Sequence, residues 1–184
     1  MSHRVIDLKW AFRLLHPRPT VIVVSISKNG EVNGCAVSWI TPVNVDPPIV
    51  AFSLAPRRYT YKLLKESGEA TINIMSFDHM NQTHYVGSVS GRDVKDKLVK
   101  AGFKLKSSKK VKPPAIEEAL AVLECKVVNE IEYTDHNLIL CQVLYAEAKE
   151  GVLENGLVPE DIKPLLHVGK NVYTTTTKHY QAKE

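Results

Sequence analysis

The stretch from Asn33 to Thr60 constrains the fold most, because it passes from strand to polar loop to strand to helix start in one short run. It opens as a strand at Asn33-Gly34-Cys35-Ala36-Val37 and turns hydroxylic at Ser38, where a purely structural strand carries on with bulky branched side chains. A backbone lined with small side chains leaves room for something to lie against it. Asp46-Pro47-Pro48 then breaks the ladder, and Ile49 to Leu54 is an apolar strand running into Ala55-Pro56-Arg57-Arg58-Tyr59-Thr60 ahead of a helical pattern. Two cations and a hydroxyl thus stand at a helix N-terminus. Free N–H groups and the positive dipole end suit a phosphate there. An ordinary basic strand-to-helix turn has the same spacing, so the residues alone leave both readings open.

The rest of the chain reads as mostly strands around that stretch. Asp7 caps a short amphipathic helix with Leu8, Phe12 and Leu15 on one side, ended by His16-Pro17-Arg18-Pro19. Thr20 to Ser27 is rich in β-branched residues, Lys28-Asn29-Gly30-Glu31 is a hairpin signal, and Val32 resumes the strand. Tyr61, Leu64 and Lys65 predict a short helix stopped by Ser67-Gly68, with Ala70 to Ile74 a buried strand. Ser76 caps a predicted helix through about Val86, Gly87 to Gly91 reads as a small-residue loop, and Asp93 to Ala101 as a helix with Gly102 as its stop. Lys104 to Pro114 reads as an exposed connection. Leu120 to Glu132 and Leu138 to Ala148 make a long hairpin through Tyr133 to Asn137, and Pro164 to Gly169 is a short strand with a glycine turn. Many strands and no repeating strand-helix-strand alternation predict a mainly β protein: an antiparallel barrel with flanking helices, one domain over residues 1–184.

Composition enters by exclusion. The net charge of +4 is mild, and the lysines between Lys95 and Lys112 lack aromatic interleaving, so a solvated face is expected there and no nucleic-acid partner. Cys35, Cys125 and Cys141 are scattered without a C-x-x-C pair, and His79 and His84 do not fall on one helical face, so no metal site is expected. No apolar run approaches membrane-spanning length and no signal region opens the chain, which predicts a cytoplasmic protein with no membrane partner. The glycine-rich nucleotide fingerprints and the G-x-S-x-G elbow are missing. His136 beside Asp135 at a hairpin tip is either a positioned imidazole or a turn residue. Trp39 is either a cover for a planar ligand or a half-buried core or interface residue.

Taken together, the run from Asn33 to Pro48, then Val50-Ala51-Phe52-Ser53 and Arg57 to Thr60, resembles the FMN-binding segment of flavin reductase-like proteins with the split-barrel fold. Ser67-Gly68-Glu69 with Ile72-Asn73-Ile74, Gly87 to Gly91 with Asp96-Lys97, the Asp135-His136 hairpin, and Pro164 to Gly169 occur in that family's order, over roughly residues 10 to 173. Ser38-Trp39 with Thr41-Pro42 is most similar to the archaeal ferric reductase and flavoredoxin-like branch. The resemblance implies an FMN site in which Asn33, Ala36, Val37, Ser38 and Trp39 line the ring and ribityl chain. It continues the site through Ser53, Leu54, Ala55, Arg57, Tyr59 and Thr60, with the arginine and threonine nearest the phosphate, and through Ser90, Gly91 and Lys97. His136 matches a histidine near bound nicotinamide, the one catalytic candidate. The resemblance further implies an oxidoreductase passing a hydride from NADH or NADPH to FMN and on to a small-molecule or protein acceptor, or a flavoredoxin-like carrier without nicotinamide activity. A homodimer with FMN near the subunit interface is implied as well. Two departures stand out: Ala36 where a threonine is common, costing one hydroxyl contact, and Thr134 in place of a glycine before Asp135-His136.

Overall fold

The computed structural model describes residues 2–182. After a 3₁₀ helix at Leu8–Leu15 the chain runs through β1 (Arg18–Pro19), β2 (Val21–Ile26), β3 (Val32–Val37), β4 (Ile40–Asn44), β5 (Ile49–Leu54), α1 (Tyr59–Ser67) and β6 (Glu69–Ile74). A 3₁₀ turn at Phe77–His79 leads into α2 (Met80–Ser88) and α3 (Lys97–Lys100). Then come β7 (Leu105–Lys106), β8 (Ala115–Ile116), β9 (Ala121–Ile131), β10 (Asn137–Ala148), β11 (Leu166–Gly169) and β12 (Val172–Thr174).

Seven strands form one antiparallel sheet in the order β3-β2-β6-β9-β10-β5-β4. Its two edge strands, β3 and β4, are consecutive in the chain. Val37 still pairs with Val21 of β2, whereas the Trp39 carbonyl already accepts from the Ser53 N–H of β5 at 2.8 Å and Ile40 pairs with Phe52. Ser38 and Trp39 therefore carry the backbone from one edge of the sheet to the other. The sheet closes through the chain itself, which is the split barrel expected from the sequence.

Strand periodicity sorts the core into two layers. Val21, Val23, Val37, Phe52, Ile72 and Ile139 point into the barrel, while Ile22, Val24, Val86, Leu98, Ile116 and Leu165 form a second cluster outside it. This is why Val21 to Val24 reads as an unbroken apolar run: β2 is buried on both faces. Full burial of a side chain such as Phe52 or Ile72 contributes about 1.5–3 kcal/mol each. The β2–β3 hairpin turns at Gly30, whose φ of +85° suits glycine, and α1 ends at Gly68 in the left-handed region as the sequence predicts.

Four expectations are corrected. Ile40–Asn44, read as part of the polar loop that follows the first strand, is a strand; it lies on the sheet edge, where Pro42 costs no ladder bond. Gly87 and Ser88 complete α2 and do not belong to the loop beyond it. The helix predicted over Asp93 to Ala101 is only Lys97–Lys100, because Asp96 takes a left-handed φ of 52°. The connection from Lys104 to Pro114 carries β7, paired to β8, and is clipped by the buried Glu124, whose carboxylate accepts from the Lys109 and Lys110 amides at 2.7 and 2.5 Å. The N-terminal helix forms as expected with Asp7 accepting from the Lys9 amide, but as a 3₁₀ helix none of whose residues is buried.

Candidate functional site

At the rim where β3 gives way to Ser38, three adjoining cavities open, and Arg58 lines all of them. The first, of about 180 Å³, is cationic. Asn33 and Cys35 of β3, Arg57 to Thr60 at the start of α1, Val89 to Gly91 after α2, and Lys97 of α3 wall it. The start of α1 carries no side-chain cap, so the first-turn amides and the dipole face the cavity with two arginines beside them. Lys97 is 4% exposed; its ammonium donates to the Val86 and Val89 carbonyls, both at 2.9 Å, and burial holds its pKa below the ordinary lysine value. The expected solvated lysine face therefore excludes Lys97. Asn33, also buried, donates to Thr60 Oγ1 at 2.7 Å and ties β3 to α1. Gly91 sits so close to this pair that an added Cβ would lie 2.7 Å from Asn33 Cγ and 2.8 Å from Tyr59 Cδ1. Outside, Tyr59 donates to Glu31 at 2.5 Å and Arg92 donates to the Arg57 carbonyl at 2.7 Å, which holds the turn in place.

The second cavity, about 130 Å³, is aromatic. Cys35 to Trp39 form one wall, Ser53 and Leu54 of β5 with Ala55 another, and His136 completes the lining. The indole of Trp39 stacks on His136 with centroids 4.9 Å apart and planes 30° from parallel, touches Phe12 at 5.7 Å, and lies under the Arg18 guanidinium at 5.4 Å. His136 Nδ1 lies 3.3 Å from the Asp135 carboxylate, an ion-pair distance without hydrogen-bond alignment. Cys35 lies between the two cavities, and burial pushes its thiol up in pKa. It is an inert wall.

Every residue named from the sequence thus lines one or other of these two cavities: Asn33, Arg57, Tyr59, Thr60, Ser90, Gly91 and Lys97 the cationic one, and Ala36, Val37, Ser38, Trp39, Ser53, Leu54, Ala55 and His136 the aromatic one. Arg58, which the sequence offers only as a second cation of the turn, has a larger part. It occupies the Ncap position of α1, and its guanidinium donates to the Gly87 carbonyl at 3.1 Å across the groove. The third cavity, about 200 Å³, is unforeseen. It joins Ala36, Ser38 and Arg58 to His84, Gly87 and Ser88 of α2 and to His167, Lys170 and Tyr173 around the β11–β12 turn. Single histidines spread over distant elements give no sequence signal, and only the fold assembles them.

Known proteins are similar to this chain in sequence and in fold. The family described as the flavin reductase like domain matches residues 12–176. A protein of Pyrococcus abyssi carried as uncharacterized is 36% identical over 164 residues, covering 89% of this chain and 93% of its own. An FMN-binding protein from Thermus thermophilus, crystallised with 1-cyclohex-2-enone, superposes with a TM-score of 0.87 at 26% identity over 100% of this chain and 99% of that one. A flavoredoxin from Methanosarcina acetivorans shares the fold at a TM-score of 0.87 and 24% identity, covering 99% and 95% of the two chains.

Proposed function

The chain belongs to the flavin reductase-like family, and from that premise we propose that it is an FMN-binding oxidoreductase that takes electrons from NADH or NADPH. The observation that carries the reading is the cationic cavity lying next to the aromatic one. A phosphate seat and a flat, small-residue wall are joined through Cys35 and Arg58. The residues fit the group: no carboxylate lines either cavity among the described residues, the first turn of α1 offers amides, and the missing side chain of Gly91 lets Asn33 and Tyr59 pack closely in the wall. The Thermus thermophilus relative, similar along the whole chain, is named for binding FMN.

In this reading Arg57, Tyr59, Thr60, Ser90 and Lys97 hold the phosphate, and Ala36 to Trp39 with Ser53 to Ala55 flank the ring. FMN, when bound, supplies the redox chemistry, taking up a hydride from the nicotinamide and releasing electrons to an acceptor. The chain contributes position and electrostatics. Arg57 and the buried Lys97 neutralise the phosphate, small side chains let the backbone reach the ring edge, and Trp39 with Phe12 keeps water from the ring end. His136, in the wall of the aromatic cavity, orients the donor and is the one catalytic candidate. We place a partner subunit over this end: Leu8, Leu14 and Leu15 of the N-terminal helix are 85%, 71% and 68% exposed, and Phe12 of the same helix touches Trp39. A homodimer with FMN near its interface is the assembly this arrangement favours.

One observation favours a second reading. Trp39 and His136 stack on one another in the wall of a cavity of only about 130 Å³, which leaves little room for a nicotinamide. A flavoredoxin-like carrier, reduced by a protein donor, has no need of that room. The deciding measurement is a visible spectrum of the purified protein, anaerobic addition of NADH and then NADPH, and chromatography of the released chromophore. An FMN band bleached by either nucleotide supports the reductase. A band that neither bleaches leaves the carrier, and failure to take up FMN in excess sinks both.

A further inference from the structure

We propose that the third cavity binds a small planar carboxylate, typified by a benzoate-like acid, beside the cofactor and not in its seat. The adjacency rests on the FMN reading; the site itself does not. A water occupies about 30 Å³ of liquid, so a cavity of about 200 Å³ has the room of a single-ring acid and not of a nucleotide. Its charge is one-sided. Arg58 and Lys170 line it, and no Asp or Glu does among the described residues. Arg58 spends one N–H on the Gly87 carbonyl at 3.1 Å and keeps the rest of its fork of five donors, the geometry that pairs with a carboxylate. Lys170 lines the cavity from the β11–β12 turn, where its backbone is held at a φ of 54°.

Three rings, His84, His167 and Tyr173, stand among the other lining residues, and they are fixed. Tyr173 packs edge-on against His84 with centroids 5.8 Å apart and tilted against His167 at 5.2 Å. The Tyr173 hydroxyl donates to His84 Nδ1 at 3.0 Å, and His84 Nε2 reaches Ser88 Oγ at 3.3 Å, which itself donates to the His84 carbonyl at 2.8 Å. Ser38 Oγ donates to His167 Nδ1 at 3.4 Å, and His167 Nε2 donates to the Lys170 carbonyl at 3.0 Å. Each imidazole therefore has both nitrogens engaged within the protein. These bonds hold both rings in place, so the pair serves as a rigid aromatic wall, and rigid walls lower the ordering cost of binding. Cations on one side and flat faces on the other select an anion that is also planar. Because Ala36, Ser38 and Arg58 are shared with the neighbouring cavities, a molecule bound here lies against the proposed cofactor seat.

The test is calorimetric titration of benzoate into the full-length chain, once flavin-free and once saturated with FMN. One saturable site is expected in both forms, with neutral benzamide and inorganic phosphate each at least tenfold weaker. Lys170→Gln is expected to weaken benzoate tenfold, about 1.4 kcal/mol, while leaving FMN affinity within twofold. Absence of saturable benzoate binding to the flavin-free chain overturns the proposal, as does benzamide or phosphate binding equally well. Expulsion of benzoate by FMN also overturns it, because the cavity then belongs to the cofactor seat. Benzoate binding by a chain that refuses FMN sustains the site and sinks the functional reading instead.

Discussion

The cationic cavity is built from groups whose polar atoms are anchored to backbone or to one another, whereas the aromatic cavity is built from rings held by their faces. Lys97 is fixed by two carbonyls at the end of α2, and Asn33 of β3 by Thr60 of α1, so each bond ties separate parts of the chain together. Trp39 is held by Phe12, Arg18 and His136 through stacking alone, contacts worth about 0.5–1.5 kcal/mol apiece. One end is preorganised and the other can rearrange. Such a division suits a site that must keep its cofactor by the phosphate while exposing its ring to changing partners.

Lys97→Met strikes the anchored end hardest, since it removes a buried charge and leaves two carbonyls without their donor. Hydrogen bonds to charged groups contribute about 1.5–3 kcal/mol, so FMN affinity in a fluorescence titration is expected to fall about a hundredfold and the urea midpoint to drop. Unchanged affinity would break the comparison. Gly91→Ala comes next: its Cβ must push Asn33 or Tyr59 aside, an overpacking cost of about 1–2 kcal/mol that should appear as roughly a five- to thirtyfold loss of FMN affinity. At the stacked end, Trp39→Leu is expected to cost only about threefold in FMN affinity while shifting the rate of reduction by nicotinamide, followed by stopped flow, by more than that. Equal losses in binding and rate would erase the distinction between the ends.

The smallest effect sharpens the comparison through pH. Glu31 sits behind the cationic cavity, and hydrogen bonds from Lys95 and Tyr59 hold its pKa below the ordinary 4.5. A carboxyl lowered on folding stabilises above its unfolded pKa and loses that contribution as pH falls through the folded value. Glu31→Gln is therefore expected to lower Tm by a degree or two at pH 7, with the gap to the parent closing as the pH drops through and below 4.5. A gap that persists in acid would show that Glu31 acts by shape and not by charge.

Much of this architecture is legible in the chain, for reasons that differ by element. β2, β5, β9 and β10 announce themselves by apolar runs or alternation between turn residues, and α1 by its glycine stop. β4 is hidden because it reads as part of the polar loop that follows the first strand, and only the fold puts Pro42 on an edge where no ladder bond is lost. α3 reads as too long because propensity cannot foresee a left-handed Asp96, and Lys97 reads as solvated because residue type says nothing of which carbonyls the fold will turn toward an ammonium. The two linked cavities are legible because their walls come from runs contiguous in sequence. The third is not, because α2 and the β11–β12 turn meet only in space.

The crossing at Ser38 and Trp39 bears on how such a chain can change over generations. Val37 is registered to one edge of the sheet and Ile40 to the other, so a single codon inserted between them would turn every side chain of β4 to the opposite face and unseat the indole. The Lys28 to Glu31 hairpin, at the far end of β3, can lengthen at little entropic cost. In lineages that keep this barrel, insertions and deletions should therefore collect at that hairpin, and the spacing from Val37 to Ile40 should stay fixed even where its letters drift.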